Sequence, residues 1–101
     1  MGRRLDLQDH LEAILGTGNV YFQPPETVKM QYPCIVYKRD AAETKFADNA
    51  PYDATWRYQV TVIDQNPDSV IPDKILLEPL TSFSRHFTVS GLNHDVFILY
   101  F

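Results

Sequence analysis

The sequence predicts an α+β domain: a mainly antiparallel β-sheet with two helices packed on one face, and one long loop or extended hairpin. Three observations carry that expectation. Two segments place apolar residues at helical spacing. Several others alternate apolar with polar residues, or are apolar throughout, as strands do. Short connections rich in Gly, Pro, Asn and Asp join neighbouring strands, which favours antiparallel pairing with the helices gathered on one side.

The first helix is expected over Leu5–Leu15. Leu7, Leu11, Ile14 and Leu15 form one stripe, and Asp6, Asp9 and Glu12 lie off it. The acids sit early, where the helix dipole favours negative charge, and Gly16 and Gly18 end the helix. Asn19–Gln23 reads as a short strand stopped by Pro24 and Pro25. Tyr32-Pro33 opens the next strand, Cys34–Lys38, whose nearly continuous apolar run suggests burial on both faces.

Arg39–Asp53, RDAAETKFADNAPYD, mixes both charge signs with small residues and a proline, and reads as a long loop or an extended hairpin tip. Phe46 and Tyr52 are its aromatic residues. They either staple the segment to the domain or anchor a partner chain. Thr55–Asp64 is the clearest strand, with Trp56, Tyr58, Val60 and Val62 on one face and Arg57, Gln59 and Thr61 on the other.

A second helix is expected from about Val70 to Phe83, on the spacing of Ile71, Ile75, Leu76, Leu80 and Phe83. Pro72 suits a first turn, whereas Pro79 should kink or end the helix near Glu78. Arg85–Val89 and Asp95–Phe101 are the last two strands, joined by a turn over Ser90–Asp95. The final strand, DVFILYF, must be buried in its own sheet or against another subunit.

The chain has 101 residues, enough for one domain, and 45% of them are hydrophobic, enough for a packed core. No apolar run reaches the roughly 20 residues of a membrane-spanning helix, and acids interrupt the opening MGRRLDLQDHLEAIL, so it does not read as a signal peptide. Net charge is −4 with no basic tract, which disfavours a protein that grips nucleic-acid phosphates but suits a surface that DNA merely passes. The single cysteine, Cys34, permits no internal disulfide and, in its apolar run, reads as a buried structural thiol.

Asp64, Asn66 and Asp68 occupy alternate positions, as the first ligands of an EF-hand would. The pattern fails at Ser69, where Gly is needed, and at Ile75, where the bidentate Glu should stand. The stretch reads instead as a turn and a helix cap, supplied by Asp68 or Ser69. His10, His86 and His94 lack zinc-ligand spacing, and no nucleophile motif or Gly-rich phosphate loop is present. The expectation is therefore no enzyme, with no catalytic, cofactor or metal residues.

Four stretches together resemble a known family: YPCIVY (Tyr32–Tyr37), ADNAPY (Ala47–Tyr52), YQVTVIDQNPDS (Tyr58–Ser69) and SRHFTVSGLNHDVFILYF (Ser84–Phe101). In order and spacing they are similar to the tail terminators of long-tailed bacteriophages (siphophages), also called tail completion or head-to-tail joining proteins. The resemblance runs from about Leu5 to the end. It implies an α+β subunit of a six-fold ring in the neck of the virion, synthesised in the host bacterial cytoplasm. Such a ring caps the head-proximal end of the tail tube, ends tube polymerisation and joins the tail to the head connector. The implied partners are copies of itself, the major tail tube protein and connector or stopper proteins, with DNA only as passing cargo and no membrane. Asp40, Glu43, Lys45, Phe46, Asp48, Asn49 and Tyr52 become the candidate interface residues. The alternatives are a head-completion or stopper protein of the same connector, and a small cytosolic α+β ligand-binding domain.

Overall fold

The computed structural model describes the backbone of residues 3–24, 29–47 and 50–101, and the side chains of these except 3 and 41–55. The chain runs α1 (Arg3–Leu15), β1 (Val20–Phe22), β2 (Cys34–Ala47), β3 (Ala50–Asp64), α2 (Ile71–Leu76), β4 (Thr81–Val89) and β5 (Leu92–Tyr100). The strands form one sheet in the order β1-β2-β3-β5-β4. This is the α+β architecture expected, with a mostly antiparallel sheet and two helices.

The alternation of side chains across the strands builds the core. Ile35 and Tyr37 of β2, Tyr58, Val60 and Val62 of β3, and Phe97 and Leu99 of β5 form one buried cluster with Leu7, Leu11 and Leu15 of α1 and Ile71 and Ile75 of α2. The stripe expected on α1 is the one that packs: Leu7 and Leu11 are fully buried and Ile14 packs against the cluster. Each such side chain contributes about 1.5–3 kcal/mol on leaving water. The opposite face carries a smaller buried set, in which Cys34 lies opposite Ile63 and Val96 opposite Thr61. The run at Cys34 is thus buried on both faces, as its composition suggests.

Helix α1 ends at Gly16, whose φ of 86° and amide bond to the Glu12 carbonyl (2.8 Å) need a residue without a Cβ. Its polar face is also used: Gln8 donates to the Val20 carbonyl at 3.0 Å and accepts from the Tyr37 hydroxyl, while Arg4 lies over the Phe22 ring at 4.6 Å.

Three local expectations need correction. First, β1 and β2 pair in parallel, Val20 with Ile35 through Phe22 with Tyr37, although they are consecutive strands. The connection between them is long enough to return the chain in the same direction. Second, α2 covers Ile71–Leu76 alone. Pro79 stops it as anticipated, but Leu80 turns the chain with φ of 60° and Phe83 belongs to β4. Third, the β4–β5 turn is only Ser90-Gly91, with φ of 53° and 77°, and pairing resumes at once with Val89 opposite Leu92. Two central residues with positive φ match the right-handed twist of flanking strands. The segment Arg39–Asp53 takes the hairpin alternative of the two expected: its described residues extend β2 and β3. Pro25 lies outside the described residues.

Candidate functional site: the β2–β3 arm and the sheet edges

Strands β2 and β3 have 14 and 15 residues, whereas β4 and β5 have nine each. Among the described residues no further strand flanks the extra length. β1 covers β2 only as far as Tyr37, and the Arg39 amide is taken by the Gln23 side chain at 3.3 Å. β5 covers β3 only from Arg57 to Asp64. Beyond these points Ala41–Ala47 pairs with the start of β3 alone, from Ala41 opposite Arg57 to Ala47 opposite Ala50. The result is a two-stranded arm. At about 3.3 Å per residue, strands of this length set the longest dimension of the molecule, 52 Å against 25 and 22 Å. An isolated two-stranded ribbon is marginal in water.

The base of the arm is fastened on both faces. On one, the Arg39 guanidinium lies 4.2 Å from the centre of the Trp56 ring and donates to the Tyr58 hydroxyl at 3.2 Å. On the other, Arg57 Nε donates to Asp40 Oδ1 at 3.0 Å. The Asp40 carboxylate, and then the Tyr100 hydroxyl, raise the Arg57 pKa. The Phe101 amide bonds the Trp56 carbonyl at 3.0 Å, so the last residue ends against the arm's root. The register shifts twice, with Asp40 extra on β2 and Tyr52 extra on β3. Such bulges bend and twist a ribbon.

The sequence-predicted interface residues fall on this arm. Asp40 sits at its base. Glu43 lies opposite Thr55, Lys45 opposite Asp53 and Phe46 opposite Pro51, with Tyr52 at the second bulge. The side chains of Glu43, Lys45, Phe46 and Tyr52 lie outside the described residues, as do Asp48 and Asn49 altogether. Arg39, Trp56 and Arg57 were not singled out by sequence. Their cross-strand partnership depends on the register, which a bulge at Asp40 displaces.

A second surface lies across the sheet. β4 is an edge strand and pairs only with β5. Leu77 and Leu80 leading into it are 84% and 70% exposed, and Phe83, Phe87 and Val89 on it are also exposed. The bulge between Phe83 and Arg85 moves Phe83 to the helix side, where its ring meets Phe97 edge-on at 5.6 Å, and Phe87 to the other, where it stacks on His94 at 4.6 Å.

Little else resembles a reaction site. Asp64 and Asn66, the metal-like pair, spend their side-chain oxygens on the amides of Asn66 and Asp68 at 3.0 Å each, and Ser69 Oγ accepts from the Ile71 amide at 3.3 Å. The stretch is a run of side-chain turns leading into α2; the N-cap is Val70 without a side-chain cap bond, so the cap expected from Asp68 or Ser69 is not formed. Asn93 ties it to β5 by donating to the carbonyls of Asp64 and Gln65. Among the described residues no group of three or more His, Cys, Asp or Glu is placed to hold a metal. His10 meets Glu78 at 2.6 Å and His86 meets Asp95 at 2.7 Å, each a surface pair linking two elements. A cleft of about 250 Å³ between α1, the α2–β4 connection and β5 is lined mainly by Leu7, Pro79, Leu80, Leu99 and Phe101. A second, of about 410 Å³ over the open face, is bordered by Val36, Lys38, Gln59 and Thr61. Neither brings together an acid, a base and a nucleophile.

No protein-family model matches the chain, and no curated protein matches it.

Proposed function

We propose that the protein is a structural subunit of a phage tail: a terminator that assembles as a ring, caps the head-proximal end of the tail tube and joins it to the head connector. The observation that carries this reading is the arm, a ribbon from Ala41–Ala47 and its β3 partner that no other strand flanks among the described residues. A marginal ribbon of this length becomes stable when a partner covers it. The succession of sequence stretches that resemble those of tail terminators supports this choice of assembly, and the net charge of −4 suits a lumen that DNA crosses without sticking. Homo-oligomers of this kind use two different patches per subunit, and the arm and the exposed β4 side are two such patches.

The test is assembly on the tube. The protein is co-expressed with a siphophage major tail tube protein, and the products are viewed by electron microscopy. Tubes of limited length with a ring at one end are expected, with six copies per ring by mass. Replacing Phe46 and Tyr52 together by Ala should abolish the cap. Unlimited tubes with the unaltered protein absent from their ends would defeat the proposal, and a ring bound to connector but never to tube would assign it to the stopper position instead.

A further inference from the structure

We infer that neighbouring subunits join edge to edge: the free edge of β2 in the arm adds to the free edge of β4 in the next copy. This rests on the ring reading above and names the contact that would build the ring. The two edges lie at opposite sides of one sheet, since the order is β1-β2-β3-β5-β4 and, among the described residues, β1 shields Ile35–Tyr37 of β2 alone. The outer edge of β3 in the arm is the less suitable donor, because it faces the same side as β4. A head-to-tail pairing of opposite edges is heterologous, uses each edge once per subunit and closes when the rotation closes.

The lengths and charges agree. β2 offers Ala41–Ala47 and β4 offers Thr81–Val89, so a ladder of about seven residues can form. The outer segment 41–55 carries three acids, Glu43, Asp48 and Asp53, against one base, Lys45, whereas β4 carries Arg85 and His86 and no acid. The defences of this edge are few: the charge of Arg85 and the bulge between Phe83 and Arg85. It contains neither Lys nor Pro, and past the bulge Arg85–Val89 runs regularly with Phe87 and Val89 exposed. A strand added there would cover the apolar surface that Leu80, Phe83 and Val89 present to water.

Hydrogen exchange on the unaltered protein over a concentration series, with mass measured by light scattering, tests this directly. On association, amides within Ala41–Ala47 and Thr81–Val89 should slow by about tenfold or more, while those of α1 should not change. Val89→Glu, which sets an acid on the edge against the acidic arm, should keep the melting temperature and prevent association. Association with unchanged exchange at β4 would overturn the edge pairing and leave the ring reading standing. A chain that stays monomeric up to its solubility limit would also overturn it, while the tube experiment decides the ring separately.

Discussion

The sheet contains two hairpins, and they end differently. β4 and β5 close through Ser90-Gly91, and β5 is held along its length by β3, so every turn of that hairpin rests on the body of the domain. β2 and β3 begin the same way, with Ile35, Tyr37, Tyr58, Val60 and Val62 in the core. They then continue past their neighbours into the arm. The same pair of strands therefore has one half packed into the core and one half whose described feature is its backbone pairing. The contrast teaches where cooperativity should stop: burial scales with apolar area, and the sequence 41–55 offers Phe46 and Tyr52 as its large apolar residues.

The strongest way to break this contrast is to damage each half in turn. Leu11→Ala opens a cavity beneath the inner half, at a fully buried position, and should cost about 2–5 kcal/mol in chemical denaturation. Replacing 44–54 with Asn-Gly, which joins the paired residues Glu43 and Thr55 through a two-residue turn, should change stability by less than about 1 kcal/mol while abolishing association. A truncation as damaging as Leu11→Ala would place the arm inside the cooperative unit.

The sequence carried the inner half far better than the outer. Leu7, Leu11 and Ile14 on α1, and Tyr58, Val60 and Val62 on β3, announce themselves by period because a core on one side selects every second or every third to fourth residue. Along DAAETKFA no core makes that selection, so the period vanishes although the backbone is extended. The misreading of α2 has the opposite cause. Leu80 and Phe83 fall by chance on a helical continuation of Ile75, and Leu80 is exposed rather than packed. The parallel β1–β2 pair and the bulge at Ser84 depend on distant partners, and no local pattern records them.

Alkaline pH probes the inner half alone. Cys34 is fully buried, and burial, with the nearby Asp64 carboxylate adding to it, pushes the thiol up to about 11 from 9.0. The unfolded chain releases this proton first, so the contribution is intact below about pH 9 and declines as pH rises to about 11. The loss from this group is at most about 2–3 kcal/mol. Denaturation midpoints measured against pH should fall more steeply for the native protein than for Cys34→Ala, and the native thiol should resist alkylating reagents until the chain unfolds. Equal slopes would show that the thiol finds water in the folded state.

At the other end of β3 the polar turn joins the two hairpins. Asn93 on β5 donates to the carbonyls of Asp64 and Gln65 at 3.2 and 3.3 Å. Asn93→Ala leaves both without that donor and should cost about 1–2 kcal/mol in thermal or chemical unfolding. Association should persist, because the arm and the β4 edge keep their own backbones. Loss of association with stability retained would instead make this joint part of the contact.

The smallest expected effect concerns the turn that lets the short hairpin close so tightly. Ser90 holds φ of 53°, a left-handed conformation that Ser tolerates poorly, and Gly91 follows at 77°. Asn tolerates that conformation better, and Asn-Gly is the favoured pair for a turn of this type. Ser90→Asn should raise stability by about a few tenths of a kcal/mol, read as a small rise in the unfolding midpoint. The same substitution should slow amide exchange at Val89 and Leu92, which the turn brings together, and leave exchange in Ala41–Ala47 unchanged. Slower exchange in the arm as well would mean that the two hairpins stabilise each other through β3, and the sharp boundary drawn at Arg57 would have to move outward.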